Sequence, residues 1–335
     1  MKTTIITLSF NHERYIREAL SSTLAQSHQA DEIIVIDDAS TDGTAAIIEE
    51  FIKEHPDQPI RFVRNERNLG LTGSCAKAVA MASGDILVMM SGDDVSMPNR
   101  VERCVSYLTT HPSAMALITD ADIIDGDSLP RGILDNCAGM ADSSALRLAD
   151  LTSRVYFLRG RSSCGAAAAY RSEVFRFFSP IRSGLYAEDD PLAFRAMLIG
   201  TCDFLPERLL AWRRHGDNLS YAGGVRRGPE MATHYRRCEA MVDQMLMDAA
   251  DWAYRNPEAR GGGFENAVFD LHFRKHRWSL WSVAHEEGIN LRGFLVAARR
   301  LLAHSPTIRI FAGEAWRPLV GLITPFPLQR LLARL

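Results

Sequence analysis

Residues 32–52 read EIIVIDDASTDGTAAIIEEFI. Its opening, EIIVI, is an apolar run too short for a helix and rich in β-branched residues, which predicts a strand buried in a parallel sheet. Its close, DGTAAIIEEFI, sets Ile47, Ile48, Phe51 and Ile52 on one helical face, with Thr41 or Asp42 available to cap that helix. Between them lies an acid pair, Asp37–Asp38. Buried strand, polar turn and amphipathic helix together make one repeat of an α/β sheet.

The alternation continues on both sides. TTIITLS (3–9) is a short β-branched run, followed by Asn11 as a helix cap and by Tyr15, Ile16, Ala19, Leu20, Thr23 and Leu24 at helical spacing. Strands are expected near 60–63, 86–90 and 114–119, and helices over about 72–82 and from Pro98 to about 110. Strands separated by helices of this length predict right-handed crossovers and a mostly parallel sheet. Ligands bind such sheets beyond the carboxyl ends of the strands. Asn11, Asp37–Asp38, the 65–68 segment and Asp93–Asp94 all fall there. After residue 120 the pattern loosens into short strands at 164–170, 202–205 and 208–212 around a helix at about 191–199. From about 230 it reads as helices over 230–254, 264–286 and 291–303.

Composition narrows the class. The 335 residues are 47% apolar and 24% charged with a net charge of -3, which is globular and gives no electrostatic case for nucleic-acid binding. The six cysteines stand singly, so reduced, buried thiols are expected rather than a zinc site or a disulfide framework. The apolar run before Asn11 is too short for a signal peptide, and no stretch reaches the length of a spanning helix. The expectation is a soluble cytoplasmic protein, peripheral on a membrane at most.

No G-x-G-x-x-G follows the first strand and no G-x-x-x-x-G-K-[ST] occurs anywhere, so no familiar glycine loop holds phosphate. Carboxylates stand at the strand ends instead, and these hold a polyphosphate only through a divalent cation. Ser91-Gly92-Asp93-Asp94, directly after ILVMM, is the clearest candidate, with Gly92 read as letting a ligand approach the backbone; a polar turn capped by acids is the other reading. Asp37–Asp38 could accept a base N–H or could be turn chemistry alone. Glu188-Asp189-Asp190 precedes a helix and could merely complement its dipole. Asp120, Asp122, Asp125 and Asp127 are read as a turn-rich stretch.

These clusters, in this order, resemble the family 2 glycosyltransferases: TIITLSFNHERYIREALSSTLAQ, EIIVIDDASTDGT, NERNLGLTGS and GDILVMMSGDDVSMP, then CGAAAAYRSEVF, AEDDPLAFRA and WRRHGDNLS. The resemblance covers about residues 3–221. It implies the nucleotide-sugar-binding GT-A fold: a mostly parallel twisted sheet flanked by helices, here with a C-terminal helical extension. It implies transfer of a sugar from a nucleoside diphosphate to an acceptor hydroxyl with inversion, in surface polysaccharide or glycolipid assembly. By the same resemblance Phe10 lies near the base and Asp38 binds its imide edge. Asp94 and Asp93 hold Mg²⁺ or Mn²⁺, with Asp94 the direct ligand and Asp93 also on the donor side. Asp189 is the general base, Arg214 and His215 reach the donor phosphates together with Arg213, and Gly165 and Glu188 lie on the acceptor side. Small residues at Cys164-Gly165-Ala166 would give a sugar ring room or, equally, make a tightly packed strand. Ser91 stands where the motif has a leading acid and Leu8 where relatives have a small polar residue.

The expected domains are 1–224, with a nucleotide half (1–120) and an acceptor half (121–224), and a helical region, 225–335. Residues 290–335 carry seven Arg, no Lys and one acid, which leaves -9 on the rest. Their Leu, Phe and Arg at near-helical spacing suit helices packed on the protein, a homo-oligomer contact, or an interfacial helix drawn to anionic lipid. The expected partners are therefore a nucleoside-diphosphate sugar, a saccharide or lipid-linked acceptor and no nucleic acid. Two other functions compete: a catalytically silent GT-A-like binding or assembly subunit, motivated by Ser91, and a metal-dependent nucleotidyltransferase. TLSFNHER lacks the glycine-rich basic loop of the latter.

Overall fold

A computed structural model of the chain describes residues 1–136, 145–146, 164–216, 218 and 229–259, with scattered positions between 264 and 282. Strands β1 (Thr3–Ser9), β2 (Glu32–Asp37), β3 (Ile60–Arg64) and β4 (Ile86–Ser91) alternate with helices α1 (Ile16–Leu24), α2 (Thr44–Glu54) and α3 (Gly70–Met81). Then come β5 (Val95–Ser96), α4 (Arg100–Thr110), β6 (Ala114–Asp125), β7 (Pro130–Leu134) and β8 (Ala145–Leu146). The later elements are β9 (Ala168–Arg171), α5 (Glu173–Arg176), α6 (Asp189–Ile199), β10 (Thr201–Arg214) and α7 (Pro229–Arg255).

One sheet runs β3-β2-β1-β4-β9-β6-β10-β5, with β7 on β6 and β8 on β10. The long pairings are parallel (β1 with β2 and β4, β2 with β3, β6 with β10), while those of β5, β7, β8 and β9 are short and antiparallel. This is the mixed α/β fold with a mainly parallel sheet that the apolar runs implied. The central strands are buried on both faces, as continuous Ile/Val/Leu runs require. Ile5, Ile33, Val35, Val88 and Met90 pack on one side with Ile16, Leu20, Ile48 and Phe51 from the helices.

The antiparallel β9 organises the site. It lies between β4 and β6 and runs against both, so its first residues arrive where those strands end. Level with Ser91 the neighbouring β6 has reached Asp120, and it continues with β10 to Asp125 and Arg214. The carboxyl ends of β1, β2 and β4, the start of β9 and the β6–β10 ribbon thus share one edge.

Several local expectations are corrected. Asn11 does not cap α1; its backbone is left-handed (φ 56°) and its Oδ1 accepts the Thr41 N–H at 2.9 Å. Asp42, not Thr41, accepts the Thr44 N–H at the start of α2 (3.0 Å). Asp120, Asp122 and Asp125 lie on β6, and only Asp127 belongs to a turn. The two strands expected at 202–205 and 208–212 are one, β10, whose register shifts at Pro206–Glu207 because proline has no N–H for the ladder. Residues 165–167 form a 3-10 turn, and the strand begins only at Ala168. The chain divides into two compact units, 1–224 with 240–271 and 225–239 with 272–335, so the second half of α7 belongs with the sheet. In the second unit the Ser282 hydroxyl donates to the Ala232 carbonyl at 3.2 Å. The basic 290–335 segment, and the helix expected at 291–303, lie outside the described residues.

Candidate active site

The first two strand-end loops are bolted together. The Asp38 N–H donates to the Ser9 carbonyl (2.8 Å), the Asn11 N–H to Ser40 Oγ (2.9 Å), the His12 N–H to Thr44 Oγ1 (2.8 Å) and the Gly43 N–H to Glu13 Oε2 (2.7 Å). Ala39 is held at φ 60°, a conformation a side chain tolerates only when its surroundings impose it. On this scaffold Phe10 stands 40% exposed at the end of β1, a flat apolar ring facing outward. Asp38 is buried and follows β2 as Phe10 follows β1, Ser9 and Asp37 being register partners, and its carboxylate already has partners. Oδ1 accepts from Asn65 Nδ2 and the Leu69 N–H, and Oδ2 from the Gly70 N–H, each at 2.8 Å. A nucleobase would have to share Asp38 with the start of α3.

After β4, Asp93 and Asp94 are both buried and differ sharply. The Asp93 Oδ2 accepts from His215 Nε2 at 3.0 Å and Asn218 Nδ2 at 3.1 Å, with His12 Nε2 3.7 Å away, while Oδ1 accepts from the Ser91 hydroxyl. Burial raises its pKa, but the His12 charge, the His215 and Ser91 hydrogen bonds and the His215 charge outweigh this and lower it to about 2. Burial drives His12 the other way, below its usual value, against the pull of Asp93. Asp94 Oδ1 accepts the Arg213 N–H at 2.8 Å, and among the described residues no hydrogen bond reaches its Oδ2. Burial, then the neighbouring Asp93 charge, pushes the Asp94 pKa well above the carboxylate range. Ser91, in the place of the motif's leading acid, is thus a hydrogen-bond donor to Asp93.

Two readings of this segment change. Gly92 is not kept open for a ligand: a Cβ there would lie 2.7 Å from Ser9 Oγ and 2.9 Å from His12 Nδ1. Arg213 is not a free cation for a diphosphate. It is fully buried, donating through Nε to the Asp93 carbonyl (2.7 Å), through Nη1 to the Asp125 carbonyl (3.0 Å) and Ser128 Oγ (2.9 Å), and through Nη2 to Glu18 Oε2 (2.6 Å). Its guanidinium also lies over the Tyr15 ring, 4.7 Å from the centroid, and Tyr15 packs on His215 with centroids 4.9 Å apart. Arg214 is half-buried at the end of β10.

Across the start of β9 stand Glu188 and Asp189, buried at the beginning of α6. A Cβ on Gly165 would lie 2.5 Å from Glu188 Oε1 and 3.6 Å from Asp189 Cβ. The space beside Gly165 is therefore filled by Glu188 rather than left for a sugar. Burial, then the charges of Asp190 and Glu188, raises the Asp189 pKa well above the carboxylate range, and burial raises that of Glu188. Glu188 Oε2 is buried with no hydrogen-bond partner. The Cys164 thiol is pushed up by burial and then by the charges of Asp94 and Asp189. Behind it Arg100, fully buried, donates through Nη2 to the Met89 carbonyl (2.8 Å) and the Ala166 carbonyl (2.5 Å), so it ties β4 to the 3-10 turn.

The five cysteines in the described residues are free; Cys137 lies outside them. Among the described residues no three His, Cys, Asp or Glu side chains are arranged to hold a metal ion, and no helix is long and apolar enough to cross a membrane. A cation held at Asp94 would take further ligand oxygens from a diphosphate, the Asp94 Oδ2 being a hard-oxygen donor that accepts no hydrogen bond among the described residues. The residues fit that role.

The chain resembles known proteins in sequence and in fold. The model of the family described as glycosyl transferase family 2 matches residues 4–178. A relative from Nostoc sp., named uncharacterized glycosyltransferase alr2836, is 28% identical over 65% of this chain and 66% of its own length. The putative glycosyltransferase EpsE of Bacillus subtilis is 36% identical over 33% of this chain and 39% of its own. The chain thus spans just under two thirds of the first relative and well under half of the second. Among solved structures, S. aureus TarS 1–349 in complex with UDP-GlcNAc superposes with a TM-score of 0.62 at 17% identity, over 91% of this chain and 82% of TarS. The mannosyltransferase PcManGT of Pyrobaculum calidifontis, in complex with GDP-Man and Mn²⁺, gives 0.51 at 17% identity, over 95% and 81%. These likenesses show the GT-A fold, and the family match shows that the chain belongs to glycosyl transferase family 2.

Proposed function

We propose that the chain transfers a sugar from a nucleoside diphosphate to an acceptor hydroxyl with inversion, with Asp189 as general base and Asp94 as the acid that holds a divalent cation. The observation that carries this is the 165–167 turn: a Cβ on Gly165 would lie 3.6 Å from Asp189 Cβ, and Arg100 ties the same turn to the Met89 carbonyl near the end of β4. One short turn thus connects the base candidate with the strand end that carries Asp93 and Asp94. The structural neighbours, one in complex with UDP-GlcNAc and the other with GDP-Man and Mn²⁺, support a nucleotide-sugar donor here. The putative teichuronic acid biosynthesis glycosyltransferase TuaG of Bacillus subtilis, 31% identical over 38% of this chain, supports an acceptor in surface polysaccharide assembly.

In this reading Phe10 offers its exposed ring to the base and Asp38 its shared carboxylate to a base N–H. His215 and Arg214 face the phosphates, with Glu188 on the acceptor side beside Gly165. A bound Mg²⁺ or Mn²⁺ supplies Lewis-acid neutralisation of the departing diphosphate. Asp189 takes the acceptor hydroxyl proton as that oxygen bonds to the anomeric carbon and the carbon–phosphate-oxygen bond breaks. The raised pKa makes Asp189 the stronger base once ionised. Arg213 and Arg100 hold the frame: the first pins the backbone around Asp93, the second the turn that carries Gly165.

The test is a thermal-shift titration of UDP-, GDP- and dTDP-sugars with and without Mn²⁺. A ligand that binds only the folded state stabilises it by about 2.7 kcal/mol at a hundred times its Kd. One base series is expected to raise the melting midpoint in Mn²⁺, and the Asp94→Ala variant to lose the Mn²⁺-dependent part. An unchanged Mn²⁺ dependence in Asp94→Ala would overturn the metal assignment. Nucleotide binding without turnover across the panel would favour a silent subunit.

A further inference from the structure

We propose that the second half of α7 is a strut that fixes the start of α6, and with it Glu188 and Asp189, through the buried Arg195–Asp248 pair. The proposal rests on the reading of Asp189 as the base. α6 is buried on every side from Pro191 to Leu198, so it has no solvent face to set its rotation, and its one buried cation is Arg195. That guanidinium meets Asp248 in two parallel bonds, Nε to Oδ2 at 2.7 Å and Nη2 to Oδ1 at 2.9 Å, a fork geometry that fixes direction as well as distance. It also donates to the Ser179 carbonyl at 2.8 Å and covers the Phe178 ring at 5.0 Å. From α7, Gln244 Nε2 donates to Asp248 Oδ1 at 3.0 Å, and Gln244 Oε1 accepts the Arg182 N–H at 3.2 Å. One helix face thus grips both α6 and the 177–182 segment leading to it, and Arg255 adds a bond to the Phe177 carbonyl at 2.5 Å. Arg195 shares α6 with Asp189, and the Leu192 N–H donates to the Glu188 carbonyl at 3.0 Å, so the helix carries the grip to its start. All of α7 lies outside the 4–178 that the family model matches. Arg195, Asp248 and Gln244 are positioning residues; none touches the reacting atoms.

The experiment uses the full chain, the best-turned-over sugar of the UDP and GDP series, and UDP or GDP with Mn²⁺ as the binding probe. Misplacing a catalytic group by about an ångström costs on the order of 10²-fold. Asp248→Asn is therefore expected to lower kcat by about that factor and to leave the nucleotide Kd within roughly twofold, a loss confined to the chemical step. In an Asp189→Asn background the same change should alter the residual rate by less than about twofold, since coupled residues are not additive. Equal losses in both backgrounds, a nucleotide affinity that falls as far as kcat, or full kcat in Asp248→Asn would each overturn the strut. Gln244→Met, which removes a neutral contact only, carries the same comparison if Asp248→Asn does not fold. Full turnover in Asp189→Asn would instead remove the base assignment and the strut with it.

Discussion

Asp189 is costly where it stands: a carboxylate buried beside Asp190 and Glu188, with its pKa driven up by desolvation first and by those two charges next. Three expectations follow from single residues. A base works only when ionised, so kcat/KM should climb with pH through a value above the ordinary carboxylate range. Asp189→Asn should lack that limb; a wild-type rate already flat from about pH 5 would contradict the assignment. The same shift has a stability sign. A carboxyl whose folded pKa is raised above its unfolded value stabilises fully below the unfolded value, and that contribution is lost as pH rises through the folded one. Asn has no charge to bury and its side-chain oxygen can still accept the Asp190 N–H (2.9 Å). Asp189→Asn should therefore melt at a higher temperature than wild type near neutral pH and show less of a gain in acid, the trade of stability for activity that functional sites make. A variant both slower and less stable at neutral pH would point to simple disruption. Gly92→Ala tests the neighbouring correction. Its Cβ would meet Ser9 and His12 at under 3 Å, which should cost about 1–3 kcal/mol by urea unfolding; a neutral result would mean that the loop gives way freely.

Among elements, the strand ends of β1, β2 and β4 were legible because an apolar run buried on both faces stops abruptly at a polar residue, and the position of that stop is local information. Ser9, Asp37 and Ser91 close those strands, within a residue of where the runs break. Partners distant in sequence left no such signal. His215 and Asn218 reach Asp93 from more than a hundred residues away, and nothing in RRHGDNLS says which acid they meet. Arg213 reads in sequence as a phosphate contact because it adjoins Arg214 and His215 in one basic triplet. It is buried because β10 continues past the sheet beside β6 and carries it between Asp93 and Glu18. Gly92 and Gly165 were read as space for ligands, whereas each accommodates a protein side chain; a glycine reports close approach but not of what. Arg213→Met should leave the Asp93 and Asp125 carbonyls without their buried donor and cost about 2–3 kcal/mol, measured by urea unfolding. A loss under about 0.5 kcal/mol would show that water or another donor replaces it.

At the scale of the whole chain, the sheet with its helices through residue 224, joined by 240–271, is one compact unit. The family model stops at 178, yet β10, α6 and the second half of α7 complete the region that holds the acids. What composition announced beyond that, the basic 290–335 segment, remains a proposal: a surface that packs on the protein, pairs copies or meets anionic lipid. Co-sedimentation of full-length and 1–289 protein with anionic vesicles separates these, and equal pelleting would end the lipid reading. All of these readings depend on two groups of acids working at one edge of the sheet, one holding the donor and one taking the proton. The direct measurement is nucleoside diphosphate release from the preferred sugar donor in Mn²⁺, with acceptor, by wild type and Asp189→Asn side by side. A fall of about 10²–10⁴-fold with donor binding intact is the predicted result; an undiminished rate in Asp189→Asn would contradict it.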